Sequence, residues 1–149
     1  MVLGKTVVHG IYALCYLSRL EPGGVAPSTT IAEAVGVPPE HARKILTCLT
    51  AAELVTSVRG RSGGYVLARS PEDISVLEVW DALTPGAGLS ALEFRTCPVA
   101  SGDGCCLRSG LADLRDHLRQ ALAERTLASV IGECHRPSGR AVAGGPGRA

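Results

Sequence analysis

Apolar and polar positions alternate with three different rhythms along this chain, and each predicts an element. Val7 to Leu17 (VVHGIYALCYL) is almost continuously apolar and sits in a predicted helix from about Thr6 to Arg19. Glu-Pro-Gly-Gly at 21–24 ends it, because Pro22 and the glycines cannot continue a helix. A short helix follows, with Thr30 and Glu33 at capping-box spacing and Gly36 where a C-terminal glycine belongs. Pro39 then suits the first turn of a third helix, predicted from Pro39 to Glu53. At 100° per residue, Ala42, Ile45, Leu49 and Ala52 share one face of it. Glu40, Arg43, Lys44 and Thr47 share the opposite face, with His41 and Cys48 at the edge.

The rhythm next shortens to two. Leu54–Val58 and Tyr65–Ala68 read as strands, and the Arg-Gly-Arg-Ser-Gly-Gly between them reads as a hairpin turn. Two short helices at a turn, the second with a basic polar face, followed at once by a hairpin, give the order of a winged helix. The predicted fold is therefore mainly α, a winged helix-turn-helix with a small β-hairpin wing. Ser75 and Glu78 have capping-box spacing and open a fourth helix, Val76 to Leu83, ahead of Pro85.

From Thr84 to about Arg108 the pattern is that of a long loop rich in Gly and Pro. A long helix is then predicted from about Ser109 to Glu124. Its narrow stripe of Leu111, Leu114, Leu118, Ala121 and Leu122, among many charges, suits contact with another helix. Thr126 can cap a last short helix, Leu127 to Ile131, ended by Gly132. The low-complexity tail reads as disordered. The expected division is 1–70 for the winged helix, 71–133 for the loop and dimerisation helix, and 134–149 for the tail.

Charge sharpens this division. The 149-residue chain carries a net +1, but residues 1–69 hold seven Lys/Arg against four Asp/Glu, and residues 70–149 hold eight against ten. A basic first half and an acidic second half suggest two tasks on one chain. Base edges of duplex DNA are within reach of Glu40, His41, Arg43 and Lys44 on the third helix, and phosphates or a minor groove within reach of Arg59 and Arg61 on the wing. Aromatics at 3% argue against a single-strand stacking platform. No nucleophile–base pair is evident, and GRSGG lacks the lysine of a phosphate loop, so an enzyme is not expected. The alternative for the winged helix is a protein-interaction module.

Six cysteines are present: Cys15, Cys48, Cys97, Cys105, Cys106 and Cys134. The apolar run near the start is too short to span a bilayer and lacks a small-x-small cleavage site, so neither a membrane nor a secreted disulfide framework is expected. In a cytoplasmic protein, clustered cysteines point to metal or redox chemistry. Cys97, Cys105 and Cys106 place three thiols in the loop, and thiolates are the usual ligands of iron–sulfur clusters. Zinc would favour a C-x2-C knuckle, which is absent. A thiol switch fits too, because Arg95 and Arg108 flank the group and a cation lowers a thiol's pKa. Cys15, Cys48 and Trp80 read as core.

The stretch IAEAVGVPPEHARKILTCLTAAELVTSVRGRSGGYVLARSPEDISVLEVWDAL resembles the winged-helix regulators of the IscR, NsrR and CymR type, with SVRGRSGGYVLAR its most specific piece. The resemblance covers about Met1 to Glu133. It implies a homodimer built on the long helix and a pseudo-palindromic duplex operator. It also implies, in many relatives, an iron–sulfur cluster held in the loop before that helix and responding to redox, nitric oxide or cluster supply. By position, Cys97 matches the family's first cysteine and Cys106 its last, while the middle one is displaced and one of Cys105 and Cys106 is spare. Two cysteines with eight residues between them resemble the members that complete a 2Fe–2S site with non-cysteine ligands; 4Fe–4S is the alternative. His9 lies near a position that some relatives use for the further ligand. Asp103, Cys134 and His135 are more remote candidates.

Overall fold

The computed structural model describes residues 4–21, 23–86 and 106–134. Cys97, Asp103, Cys105, His135 and the tail lie outside the described residues, as does most of the cysteine loop. The order is α1 (Lys5–Ser18), α2 (Ser28–Val35), α3 (Pro39–Ala51), β1 (Val55–Val58), β2 (Gly64–Leu67), α4 (Val76–Leu83), α5 (Cys106–Glu124) and α6 (Leu127–Cys134). This is the expected mainly helical fold with one antiparallel hairpin.

α1 is amphipathic, not buried all round as its apolar run suggests. Val7, Gly10, Ile11, Leu14 and Leu17 face the core, while Tyr12 is 55% exposed. α2 starts two residues before the predicted capping box. Pro27 stands at its N-cap, its carbonyl accepts from the Ile31 N–H, and no side chain caps the end. Thr30 is thus already inside the helix and its pairing with Glu33 is not the cap. α2 ends as predicted, on Gly36 at φ 75°, which only glycine adopts at no steric cost. Val37 N–H then bonds to Ala32 O and Gly36 N–H to Glu33 O, a Schellman ending that makes the tight turn into α3.

α3 begins at Pro39 as expected but stops at Ala51, short of Glu53. The same ending recurs there: Leu54 N–H reaches Leu49 O, Glu53 N–H reaches Thr50 O, and Glu53 is the residue at φ 56°. The reversal leaves Ala52 exposed, where the periodicity had placed it on the apolar face, and swings Leu54 and Val55 into the core. A non-glycine residue in the left-handed region costs of order 1 kcal/mol. Glu53→Gly is therefore expected to stabilise the fold by about 0.5–1 kcal/mol, read as a higher midpoint in urea; a lower midpoint would mean that the Glu53 side chain contributes more than its backbone costs.

The hairpin pairs Val55 with Leu67 and Val58 with Gly64, and β2 is pinned close to the turn by a bridge to the α1–α2 connection. Ala26 N–H bonds to Tyr65 O at 3.0 Å and Tyr65 N–H to Ala26 O at 2.8 Å. Gly64 is required there, because a Cβ would collide with the backbone of Ala26. α4 carries the predicted capping box: Glu78 N–H donates to Ser75 Oγ at 3.2 Å and Ser75 N–H to Glu78 Oε2 at 2.8 Å.

α5 begins at Cys106, three residues earlier than its leucine pattern indicates. Thr126 caps α6 as expected, accepting from Ser129 N–H at 3.2 Å. α6 does not stop at Gly132 but continues to Cys134; a glycine inside a helix costs only about 1 kcal/mol. Paired backbone bonds, Leu127 N–H to Ile74 O at 2.7 Å and Val76 N–H to Arg125 O at 2.8 Å, tie this junction to the start of α4.

One core joins these elements, with Val7, Leu14, Ile31, Leu46, Leu49, Leu54, Ile74, Val79 and Leu127 at its centre. Trp80 belongs to it, and Cys15 and Cys48 pack against it half-buried. Leu118 and Leu122 dock α5 on this core, whereas Leu114, on the same stripe, is 56% exposed.

Candidate nucleic-acid interface

α3 presents its polar face outward because Ala42, Ile45, Leu46 and Leu49 hold the other side against the core. Glu40, Arg43, Lys44 and Thr47 are all exposed, as the periodicity predicts. Arg43 Nη1 donates to Glu40 Oε1 at 2.8 Å, with the two side chains 56% and 78% exposed. So exposed an ion pair is worth no more than about 1 kcal/mol, and Arg43 is readily given up to a base edge or phosphate. Thr47 Oγ1 donates back to Arg43 O at 2.8 Å, which keeps that hydroxyl on the helix.

His41 is placed differently. It is half-buried at the α1-facing edge of α3, and its Nε2 lies 3.2 Å from Nδ1 of His9. The rings meet edge to face, with centroids 5.3 Å apart and planes at 88°. The structure thus joins a residue expected to ligate a cluster to one expected to read DNA, a pairing that their separation of 32 positions in sequence concealed.

Arg59 and Arg61 are exposed in the turn of the wing, which Gly63 N–H closes on Gly60 O at 3.0 Å. The foot of the wing holds a contact that sequence spacing did not reveal. Arg69 Nη2 donates to Glu78 Oε1 at 2.8 Å and Nη1 to Asp73 O at 3.1 Å, bracing the end of β2 against the start of α4. Partial burial pushes the Glu78 carboxyl up, but the Ser75 N–H, the Arg69 guanidinium and the Ser75 hydroxyl outweigh it and hold the pKa below the usual carboxylate range. A lowered folded-state pKa adds stability above the ordinary carboxylate range that is lost as pH falls through the folded value. Glu78→Gln, which keeps a capping acceptor but no charge, is expected to cost about 0.5 kcal/mol at neutral pH. The deficit should close as the pH of a denaturation series drops below about 4; a deficit constant with pH would assign the loss to shape and not charge.

Cys106 opens α5 and Cys134 closes α6. Among the described residues no group of three or more His, Cys, Asp or Glu is placed to hold a metal ion. Also among them, no helix is long and apolar enough to cross a membrane.

Two short helices at a Schellman turn, an outward basic face on the second and an arginine-tipped wing braced at its foot define a winged-helix DNA-binding protein. Comparison with known proteins places it further: residues 3–133 match the Rrf2 family, described as "Iron-dependent Transcriptional regulator", and the chain belongs to that family. It is 35% identical over 133 residues to the Mycobacterium tuberculosis protein named "Putative HTH-type transcriptional regulator Rv1287", covering 89% of this chain and 82% of that one. Its fold is similar to a solved structure described as "T. potens IscR", with a TM-score of 0.73 at 23% identity over 95% of this chain and 93% of the other. CymR of B. subtilis, described as "the Global Cysteine Regulator", superposes with a TM-score of 0.71 at 21% identity, over 89% and 98% of the two chains. The family is one of transcriptional regulators, not enzymes.

Proposed function

We propose that this regulator acts as a homodimer on a two-fold-related duplex operator, and that an iron–sulfur cluster held by its cysteine loop sets operator affinity. The observation that carries the reading is the position of Cys106. It ends the cysteine group and is also the first residue of α5, whose far half docks on the DNA-binding core through Leu118 and Leu122. A change of state at the thiols thus acts on a helix that is docked on the DNA-binding core. The half of α5 nearer Cys106 leaves Leu114 uncovered, which suits a second copy of the helix. Two heads so joined meet half-sites about one helical turn apart, or a multiple of that.

The donor set fits the group. Cys97 and Cys106, with Cys105 as the neighbouring thiol, supply the soft thiolates that iron–sulfur clusters take. Such a cluster, when bound, supplies a centre that oxidants and nitric oxide alter. What this chain contributes is a helix that couples that centre to the relative position of two α3 helices, and only a difference in operator affinity between the two states can drive release.

Anaerobic purification with an absorption spectrum and an iron and sulfide count tests this reading. Broad visible bands with both elements, lost in Cys106→Ala, are expected. Colourless, iron-free protein from iron-replete anaerobic cells would overturn it in favour of a thiol switch on the same cysteines. That second reading draws on Arg95 and Arg108, which flank the thiols in sequence, and on the fold likeness to a structure described as Staphylococcus aureus CymR in its oxidized form, with a TM-score of 0.66 at 24% identity.

A further inference from the structure

We propose that His9, on a helix that carries none of the expected DNA contacts, is a positioning residue for base recognition: it holds the ring of His41 on the recognition helix and ties its tautomer to its own. The inference rests on the reading of α3 as the groove-entering helix and goes one step beneath it. Glu40 and Arg43 are exposed and pair with each other within α3, and Lys44 is exposed. His41 alone among the expected α3 contacts is bonded to a side chain of another element, His9 Nδ1 at 3.2 Å from its Nε2.

In the hydrogen bond between the rings, one nitrogen donates and the other accepts. If His9 donates, Nε2 of His41 is the acceptor and its Nδ1 carries the remaining hydrogen. His41 then offers a donor, which matches guanine O6 or N7 or thymine O4. If His41 donates through Nε2, its Nδ1 is a bare acceptor, which matches the amino group of cytosine or adenine. Nδ1 of His41 has no hydrogen-bond partner among the described residues. His9 therefore ties the tautomer of His41, and with it the base edge that His41 can read, to its own, without touching DNA. A half-buried ring held at one nitrogen also loses less freedom on binding than the exposed arginine and lysine, which favours it as a discriminating contact.

Selection from a randomised duplex library, with the full-length protein, tests this. Wild type and His41→Ala should differ at one base pair of each half-site, where the alanine variant loses preference. His9→Leu should lose about 3- to 10-fold of the discrimination at that same position, with the salt dependence of non-selective binding unchanged. His9→Asn, whose side-chain amide places Nδ2 and Oδ1 near the former Nδ1, should recover most of it. Nitrogen NMR shifts of the His41 ring in free protein should report a changed tautomer balance in His9→Leu, even if that variant binds poorly. Selectivity in His9→Leu equal to wild type, an unchanged His41 tautomer, or equal loss in the leucine and asparagine variants would each overturn the proposal. Failure of the underlying reading is separately visible, as wild-type protein with no sequence preference at all, and it overturns both.

Discussion

Truncating Arg43 and Lys44 together is expected to lower affinity for a selected duplex by about 100-fold while leaving the fold intact. A side chain that reaches a base edge contributes roughly 1–3 kcal/mol, and two such losses reach that factor at 1.4 kcal/mol per tenfold. Both residues lie on the outward face of α3 and are exposed, so truncation opens no cavity. The one partner disturbed is Glu40, itself 78% exposed and stable without its ion pair. Fluorescence anisotropy with a labelled duplex, beside an unchanged thermal midpoint, is the check. Unchanged affinity would remove α3 from the interface.

The second large effect is on stability. Leu46→Ala is expected to cost about 2–5 kcal/mol, since Leu46 is fully buried and its loss leaves a cavity that its neighbours only partly fill. Against a domain's marginal stability of about 5–15 kcal/mol this is a large fraction. Leu114→Ala, at a residue 56% exposed, should leave the stability of a single chain within about 0.5 kcal/mol, and should weaken self-association if the uncovered half of α5 pairs with its copy. Urea midpoints with a constant slope, and sedimentation for the second variant, measure the two. A mild Leu46 variant would mean that α3 is seated less firmly than its burial implies.

Leu46 also shows where sequence reasoning falls short. A single stripe at three- and four-residue spacing picked Ala42, Ile45 and Leu49 correctly, but missed Leu46 and added Ala52. α3 packs against α1, α2 and α4, so its buried arc is wider than one neighbour would need. At its end the chain reverses through Glu53 in a conformation that sequence assigns to glycine. The same physics explains α2: Thr30 and Glu33 have cap spacing, but Pro27 pre-sets an extended entry and the helix starts before them. Where local chemistry acts alone, as in the Ser75–Glu78 box or Gly36, the reading from sequence was right to the residue.

The candidate interface was legible for a related reason. Exposed charges on α3 and the wing follow from periodicity and turn composition, which are local properties. Two contacts beside these charges, His9 with His41 and Arg69 with Glu78, join different elements and were invisible until the chain folded.

The most direct test of the central claim is the salt dependence of duplex binding by wild type, Arg59→Ala and Arg61→Ala. If α3 and the wing grip DNA, the logarithm of affinity should fall steeply with the logarithm of salt, and each wing variant should reduce the slope by about 1 as one phosphate contact is lost. Binding that ignores salt, or wing variants with the wild-type slope and affinity, would contradict it.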